Sequence, residues 1–253
     1  MDNPDDCVVG TGDKTYTAYH AYFPSQTLET EPRFGSLDDL RSLVASAHNR
    51  GIRVLVDLVA NHVYETASEW TEHGSDGWFN PKGICKEQGW EPAETCWFES
   101  YMPDLDHRND EVVEHMTEVA LYWLREADLD GFRIDAAKHM HRNFFYTLRH
   151  KVSDRITRHA DQPLWMVGET FTGGWGGGSG TEEALIASYI GPELLDGQFD
   201  FTLYWPLRDA LALESQPLSW LGEVLVGTYA YYGPDALMSS FLGNHDLPRF
   251  ISL

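Results

Sequence analysis

Three short apolar runs in this chain each end in an acid: DGFRID (130–135) at Asp135, LWMVGE (164–169) at Glu169 and SSFLGNHD (239–246) at Asp246. The carboxyl end of a buried strand is where α/β barrels collect catalytic groups, so three such acids predict one enzyme site. Strand side chains repeat every two residues, which puts Arg133 on the same face as Asp135. A guanidinium beside a carboxylate keeps it ionised and fit to attack as a nucleophile. An ion pair that merely pins a strand end is the other use of such a pair, but it leaves the two further acids unexplained. Glu169 follows Trp165, Met166 and Val167, an apolar setting that favours the protonated carboxyl a general acid needs. Asp246 follows Asn244 and His245 in a loop that Gly243 lets bend. Alone, an Asn-His-Asp string is more often a turn or cap, whereas beside two other acids a carboxylate there can stabilise charge on an anomeric carbon. Two carboxyls of unequal proton affinity flanking a bond are the equipment of retaining glycoside cleavage.

The elements that position these acids are legible from periodicity. Ser36 starts a helix, with Asp39 completing the cap, Leu37, Leu40, Leu43, Val44 and Ala47 at helical spacing, and Gly51 as the stop. IRVLVDLVANH (52–62) follows, and 52–59 reads as a near-continuous apolar parallel strand. Stretch 16–24 is aromatic and irregular, suiting a loop over a site. From 63 to 102 periodicity vanishes, too long for an ordinary connection, and a small irregular subdomain inserted after a strand is expected. A helix over 110–127, a strand over 131–135, a helix over 143–159 and a strand over 164–167 come next. The glycine-heavy loop 173–180 lacks a phosphate-cradle pattern and reads as lid or linker. A strand at 198–203, helices at 207–213 and 218–226 and a last strand at 236–242 complete an α/β alternation that predicts a parallel barrel.

The chain has 253 residues, 42% hydrophobic, and a formal net charge of −22, so it can bury a core and repels nucleic acid and anionic membranes. A neutral ligand fits better. No apolar stretch approaches a membrane span, and the first twenty residues carry no signal peptide pattern. Cys85 and Cys96 could bridge across the irregular stretch, leaving Cys7 unpaired; three unrelated buried thiols is the other reading.

DLVANH (57–62), MPDLD (102–106), DGFRIDAAKH (130–139), GET (168–170) and FLGNHD (241–246) together resemble the ordered signature segments of the α-amylase family of glycoside hydrolases. The resemblance implies a (β/α)₈ TIM-type barrel with an insert after the third strand, and retaining endo-hydrolysis of α-1,4-glucosidic bonds in starch-type polysaccharides. It implies Asp135 as nucleophile, Glu169 as acid/base and Asp246 as transition-state stabiliser. Arg133 would hold the nucleophile, while His62 and His245 would bind the sugar on the non-reducing side. Lys138 and His139 would lie near the departing sugar, and Tyr22, with His20 close by, would stack on a ring. It further implies a structural calcium ion held by Asn61, Asp104 and the His139 carbonyl, with Glu94 as a looser contributor; turn residues satisfying backbone groups are the alternative for Asn61 and Asp104.

The family order makes 52–59 the third strand and 236–242 the seventh, so an incomplete barrel of strands 3 to 7 is expected. Its parts would be 1–62 (partial barrel), 63–103 (calcium-associated insert) and 104–253 (the remaining barrel). Such a piece would expose edges and be poorly stable and weakly active or inactive alone. The full-length protein is expected to be a secreted monomer acting on α-glucan, with no nucleic acid or membrane partner. A related α-glucosidase or glucanotransferase, or an inactive glucan-binding fragment, are the alternative readings.

Overall fold

The computed structural model describes residues 7–9, 15–90, 93–156, 164–174 and 180–253. They form two compact units, Met1–Trp165 and Met166–Leu253.

In the first unit, β1 (Cys7–Val9) pairs antiparallel with β2 (Thr15–Thr17), and a 3₁₀ turn follows over Ala18–His20. The stretch expected as loop from 16 therefore begins in a strand, in keeping with the β-branched Thr15 and Thr17. Helix α1 (Leu37–His48) opens with the expected capping box: Asp39 N–H donates to Ser36 Oγ at 3.3 Å, and Ser36 N–H donates to the Asp39 carboxylate at 2.8 Å. Of its apolar stripe only Val44 is buried, and Leu43 is 60% exposed. Strand β3 (Leu55–Leu58) is shorter than the 52–59 expected. Its first candidate residues are diverted: Ile52 N–H donates to the Ala47 carbonyl, and Val54 N–H donates to the Asp130 carboxylate at 2.7 Å.

The insert holds one short helix, α2 (Ser68–His73), among turns and 3₁₀ segments, as its lost periodicity requires. Cys85 and Cys96 are joined in a disulfide. Glu69 on α2 fastens the insert to its surroundings, accepting from Thr27 Oγ1 at 2.7 Å and lying 3.2 Å from His115 Nε2.

Helix α3 (Asp110–Ala127) is capped by the Asn109 side chain and ends at Asp128 in the left-handed region. Its stripe of Val112, Val113, Met116, Val119, Ala120, Trp123 and Leu124 is wholly buried, as its spacing predicts. Strand β4 (Gly131–Ile134) runs parallel to β3, with Asp57 opposite Arg133 and Leu58 opposite Ile134. Gly131 is required there: at φ +147° a Cβ would come within 1.8 Å of the Trp165 carbonyl oxygen. Phe132 and Ile134 point into the core, which leaves Arg133 on the opposite face. Helix α4 (Arg142–Arg155) closes this unit and buries Phe144, Phe145 and Leu148; the expected extension over 157–159 lies outside the described residues.

In the second unit, β5 (Trp165–Gly168) pairs parallel with β6 (Gly197–Gln198) through Val167 opposite Gly197. The loop expected over 173–180 lies partly outside the described residues, and α5 (Thr181–Ala187) follows it. The strand expected over 198–203 stops at Gln198. Asp200 accepts the Leu203 N–H at 3.0 Å and starts helix α6 (Phe201–Leu207), whose apolar run does not by itself discriminate helix from strand. A π-turn over Arg208–Ala212 and helix α7 (Leu218–Tyr232) come next, α7 longer than the 218–226 expected. The strand expected over 236–242 is reduced to a parallel bridge of Ser239 with Phe199, flanked by Leu237 N–H to the Asp196 carbonyl at 3.1 Å. Ile186, Phe201 and Tyr232 form the buried centre of this unit, with Phe171 and Phe241 packed against it. No helix among the described residues is long and apolar enough to cross a membrane.

Candidate active site

The parallel register of β3 and β4 accounts for the best-defined part of the site. Because Asp57 lies opposite Arg133 and Asp135 lies two residues beyond it, one guanidinium meets two carboxylates. Arg133 donates to Asp57 at 2.8 Å and also to Asp135, whose side chain is 15% exposed just past the end of β4. The Tyr22 hydroxyl donates to the other Asp57 oxygen at 2.7 Å, and the Arg133 guanidinium lies 5.8 Å from the Tyr22 ring. Burial, and then the Asp57 charge, push the Tyr22 phenol far above its usual range, so it stays a donor. His20 sits beside Tyr22, its Nδ1 accepting the Tyr22 N–H at 3.0 Å and its ring 5.7 Å away. Two non-glycine residues adjoining these groups, Ala21 at φ 69° and Ala136 at φ 50°, are in the left-handed region, a cost of the kind that gathers at functional sites.

His62 is buried, and its Nε2–H donates to the Tyr22 carbonyl at 3.0 Å. Burial lowers its pKa to about 4, so the ring is neutral and fixes the backbone of Tyr22. His139 is also buried; its Nδ1–H donates to the Ala93 carbonyl at 2.9 Å, and burial, with Lys138 next to it, lowers its pKa to about 3. Its ring packs against Phe98 at 4.4 Å and close to Cys85 and Cys96, whose sulfurs are committed to the disulfide. Lys138 itself is half-buried.

Of the residues expected to hold a cation, Asn61 bonds Asp104 directly and Glu94 is linked to it through Asn80. The Asp104 carboxylate is fully buried, accepts from Asn61 Nδ2 at 2.8 Å and from Asn80 Nδ2 at 2.7 Å, and burial raises its pKa well above the usual range. Asn61 Oδ1 is buried with no hydrogen-bond partner. Asn80 also reaches the Glu94 carbonyl at 3.2 Å, and Glu94 is half-buried. A buried carboxylate, an orphaned amide oxygen and the nearby Glu94 carbonyl are oxygen donors of the kind a hard cation such as calcium takes.

The remaining acids belong to the second unit. Glu169 directly follows β5 and is 8% exposed, the secluded setting its apolar run predicts. Asp246 does not sit at a strand end. It lies in a turn, its N–H donating to Asn244 Oδ1 at 2.9 Å, its half-exposed carboxylate 3.2 Å from His245 Nε2. The residues that sequence reasoning missed are Asp57, Asn80 and His107. Asp57 opens a motif singled out for other residues, and its role follows only from the strand register. Asn80 sits in the stretch without periodicity. His107, adjoining MPDLD, is buried with Nε2–H donating to the Ala60 carbonyl at 2.8 Å, and burial lowers its pKa to about 4.

Parallel strands joined through helices, with an arginine-held carboxylate just beyond one of them, define an α/β enzyme domain. The sequence profile of the family described as alpha amylase, catalytic domain, matches residues 12–253. Curated relatives include a cyclomaltodextrinase from a Bacillus species, 28% identical over 93% of this chain and 41% of its own length. A cyclomaltodextrin glucanotransferase from Bacillus licheniformis is 27% identical over 93% of this chain and 33% of its own. The solved alpha-amylase from Geobacillus thermoleovorans, complexed with acarbose, is 30% identical with a TM-score of 0.76, covering 92% of this chain and 49% of that one. The chain belongs to the alpha-amylase family; that family's catalytic domain is a (β/α)₈ barrel, of which the described residues form a parallel sheet with helices. It spans 41% and 33% of the length of the two curated relatives.

Proposed function

We propose that this chain performs retaining cleavage of α-1,4-glucosidic bonds in starch-type glucans by double displacement, with endo-hydrolysis as its main outcome. The observation that carries this reading is the Arg133 guanidinium divided between Asp57 and Asp135 at the end of β4. It keeps Asp135 ionised and aimed, as attack on an anomeric carbon requires. Glu169 protonates the departing glycosidic oxygen and then takes a proton from water; Asp246 stabilises the charge that develops on the sugar. Tyr22 offers an aromatic face to a ring, with His20 beside it and His62 holding its backbone. Lys138, His139 and His245 contribute to holding the glucan. Asn61, Asp104, Glu94 and the His139 carbonyl would hold a calcium ion, which when bound would neutralise the buried carboxylate and tie the insert to the barrel.

The relatives named for cyclomaltodextrins support glycosyl transfer as a second outcome. The same carboxylates serve when a glucan hydroxyl replaces water as acceptor. In Asp135→Asn, turnover of soluble starch falls by about 10³-fold or more, while maltooligosaccharide affinity stays within about threefold. The first product seen by NMR is the α-anomer. Undiminished turnover in Asp135→Asn, or a β-anomer first, refutes the assignment.

A further inference from the structure

The insert carries a cleft of about 410 Å³ to which none of the residues assigned above to catalysis or sugar binding contributes a wall. Three aromatic rings line it: Trp70, Phe79 and Trp97. They are braced against one another, Trp70 meeting Phe79 at 5.0 Å and Trp97 at 5.4 Å, both edge to face at 89°. Trp97 is further fixed by its Nε1–H, which donates to the Asn80 carbonyl at 2.9 Å. Trp70 and Phe79 remain half-buried, so part of each ring is open. Exposed polar groups stand at the rim: the Glu65 carboxylate, the Ser100 hydroxyl and the Lys82 ammonium, which lies 5.5 Å from the Trp97 ring.

We propose that this cleft is a second glucan-binding site, which grips a starch chain without cleaving it. The choice of ligand rests on the function proposed above, and the chemistry of the walls agrees with it. A pyranose has a C–H face that packs on an aromatic ring and an edge of hydroxyls that both donate and accept. Glu65 accepts, Lys82 donates and Ser100 does either. One acid and one base at the rim leave no local charge to attract an ion, and the net charge of −22 repels anionic ligands such as nucleotides. The size lies within the range of pockets that hold small ligands, and rings already braced lose little freedom on binding.

The test uses the whole chain with two substrates, insoluble starch for adsorption and a short chromogenic maltoside for hydrolysis. Ser100→Arg, on an exposed side chain, obstructs the cleft, and Trp70→Ala removes a wall. Each variant is expected to weaken starch adsorption at least tenfold while maltoside hydrolysis stays within twofold of wild type. Adsorption unchanged in Ser100→Arg overturns the proposal, as does adsorption lost in step with maltoside hydrolysis. Should Trp70→Ala fail to fold, Ser100→Arg decides alone. A wild type that adsorbs in a manner sensitive to Ser100→Arg yet hydrolyses no maltoside upholds the cleft and refutes the hydrolase. Hydrolysis with adsorption insensitive to Ser100→Arg does the reverse.

Discussion

Replacing Glu69 by Gln tests how the insert is fastened to the rest of the first unit. Glu69 is 4% exposed, and burial alone would raise its pKa; hydrogen bonds from His115 and Thr27 outweigh burial and lower it from 4.5 to about 2. A group ionised more readily in the folded chain stabilises it above its unfolded pKa and loses that contribution as pH falls through the folded value. At 1.36 kcal/mol per unit, the shift corresponds to about 3 kcal/mol, fully present above pH 4.5 and lost towards pH 2. Urea unfolding followed by tryptophan fluorescence at several pH values between 6 and 2 measures the gap between wild type and Glu69→Gln. The gap is expected to be about 2–3 kcal/mol at pH 6 and to close by pH 2. A gap that does not change with pH refutes the assignment of this stability to the ionised Glu69.

Two further perturbations act nearby. Chelating calcium with EDTA lowers the melting temperature of wild type by about 5 °C and that of Asp104→Asn by much less, as scanning calorimetry would register; equal shifts in both proteins count against a cation at Asp104. Replacing Cys85 and Cys96 together by Ser opens a loop with sequence separation 11, which destabilises the chain by about 3 kcal/mol in the same urea assay. A double variant as stable as wild type would show that the bridge constrains little.

The sequence discloses the elements whose signals are local. The 110–127 helix declared itself by its apolar stripe, and α1 by the Ser36–Asp39 box, because capping and 3.6-residue spacing need no knowledge of the rest of the chain. Where a backbone group has a distant alternative partner, local signals mislead. Strand β3 starts late because the Asp130 side chain takes the Val54 N–H, and 198–203 divides because Asp200 caps a helix. Among the site residues, the two-residue strand period by itself predicts the Arg133–Asp135 pair. Asp57 carries no local signal, because its partnership depends on which residue of one strand lies opposite which of another. Asn80 gave no signal at all, since its bond to Asp104 bridges 24 positions across a stretch with no periodicity.

Dividing one guanidinium between two acids turns Asp57 into a competitor of Asp135. Whatever draws Asp57 away, such as a shift of the Tyr22 hydroxyl that bonds it, releases more of the cation's field to its rival. On the function proposed above, a sugar arriving against Tyr22 would change how firmly Arg133 holds Asp135 before any bond is made. Occupancy and reactivity become coupled through a tug-of-war over a single positive charge.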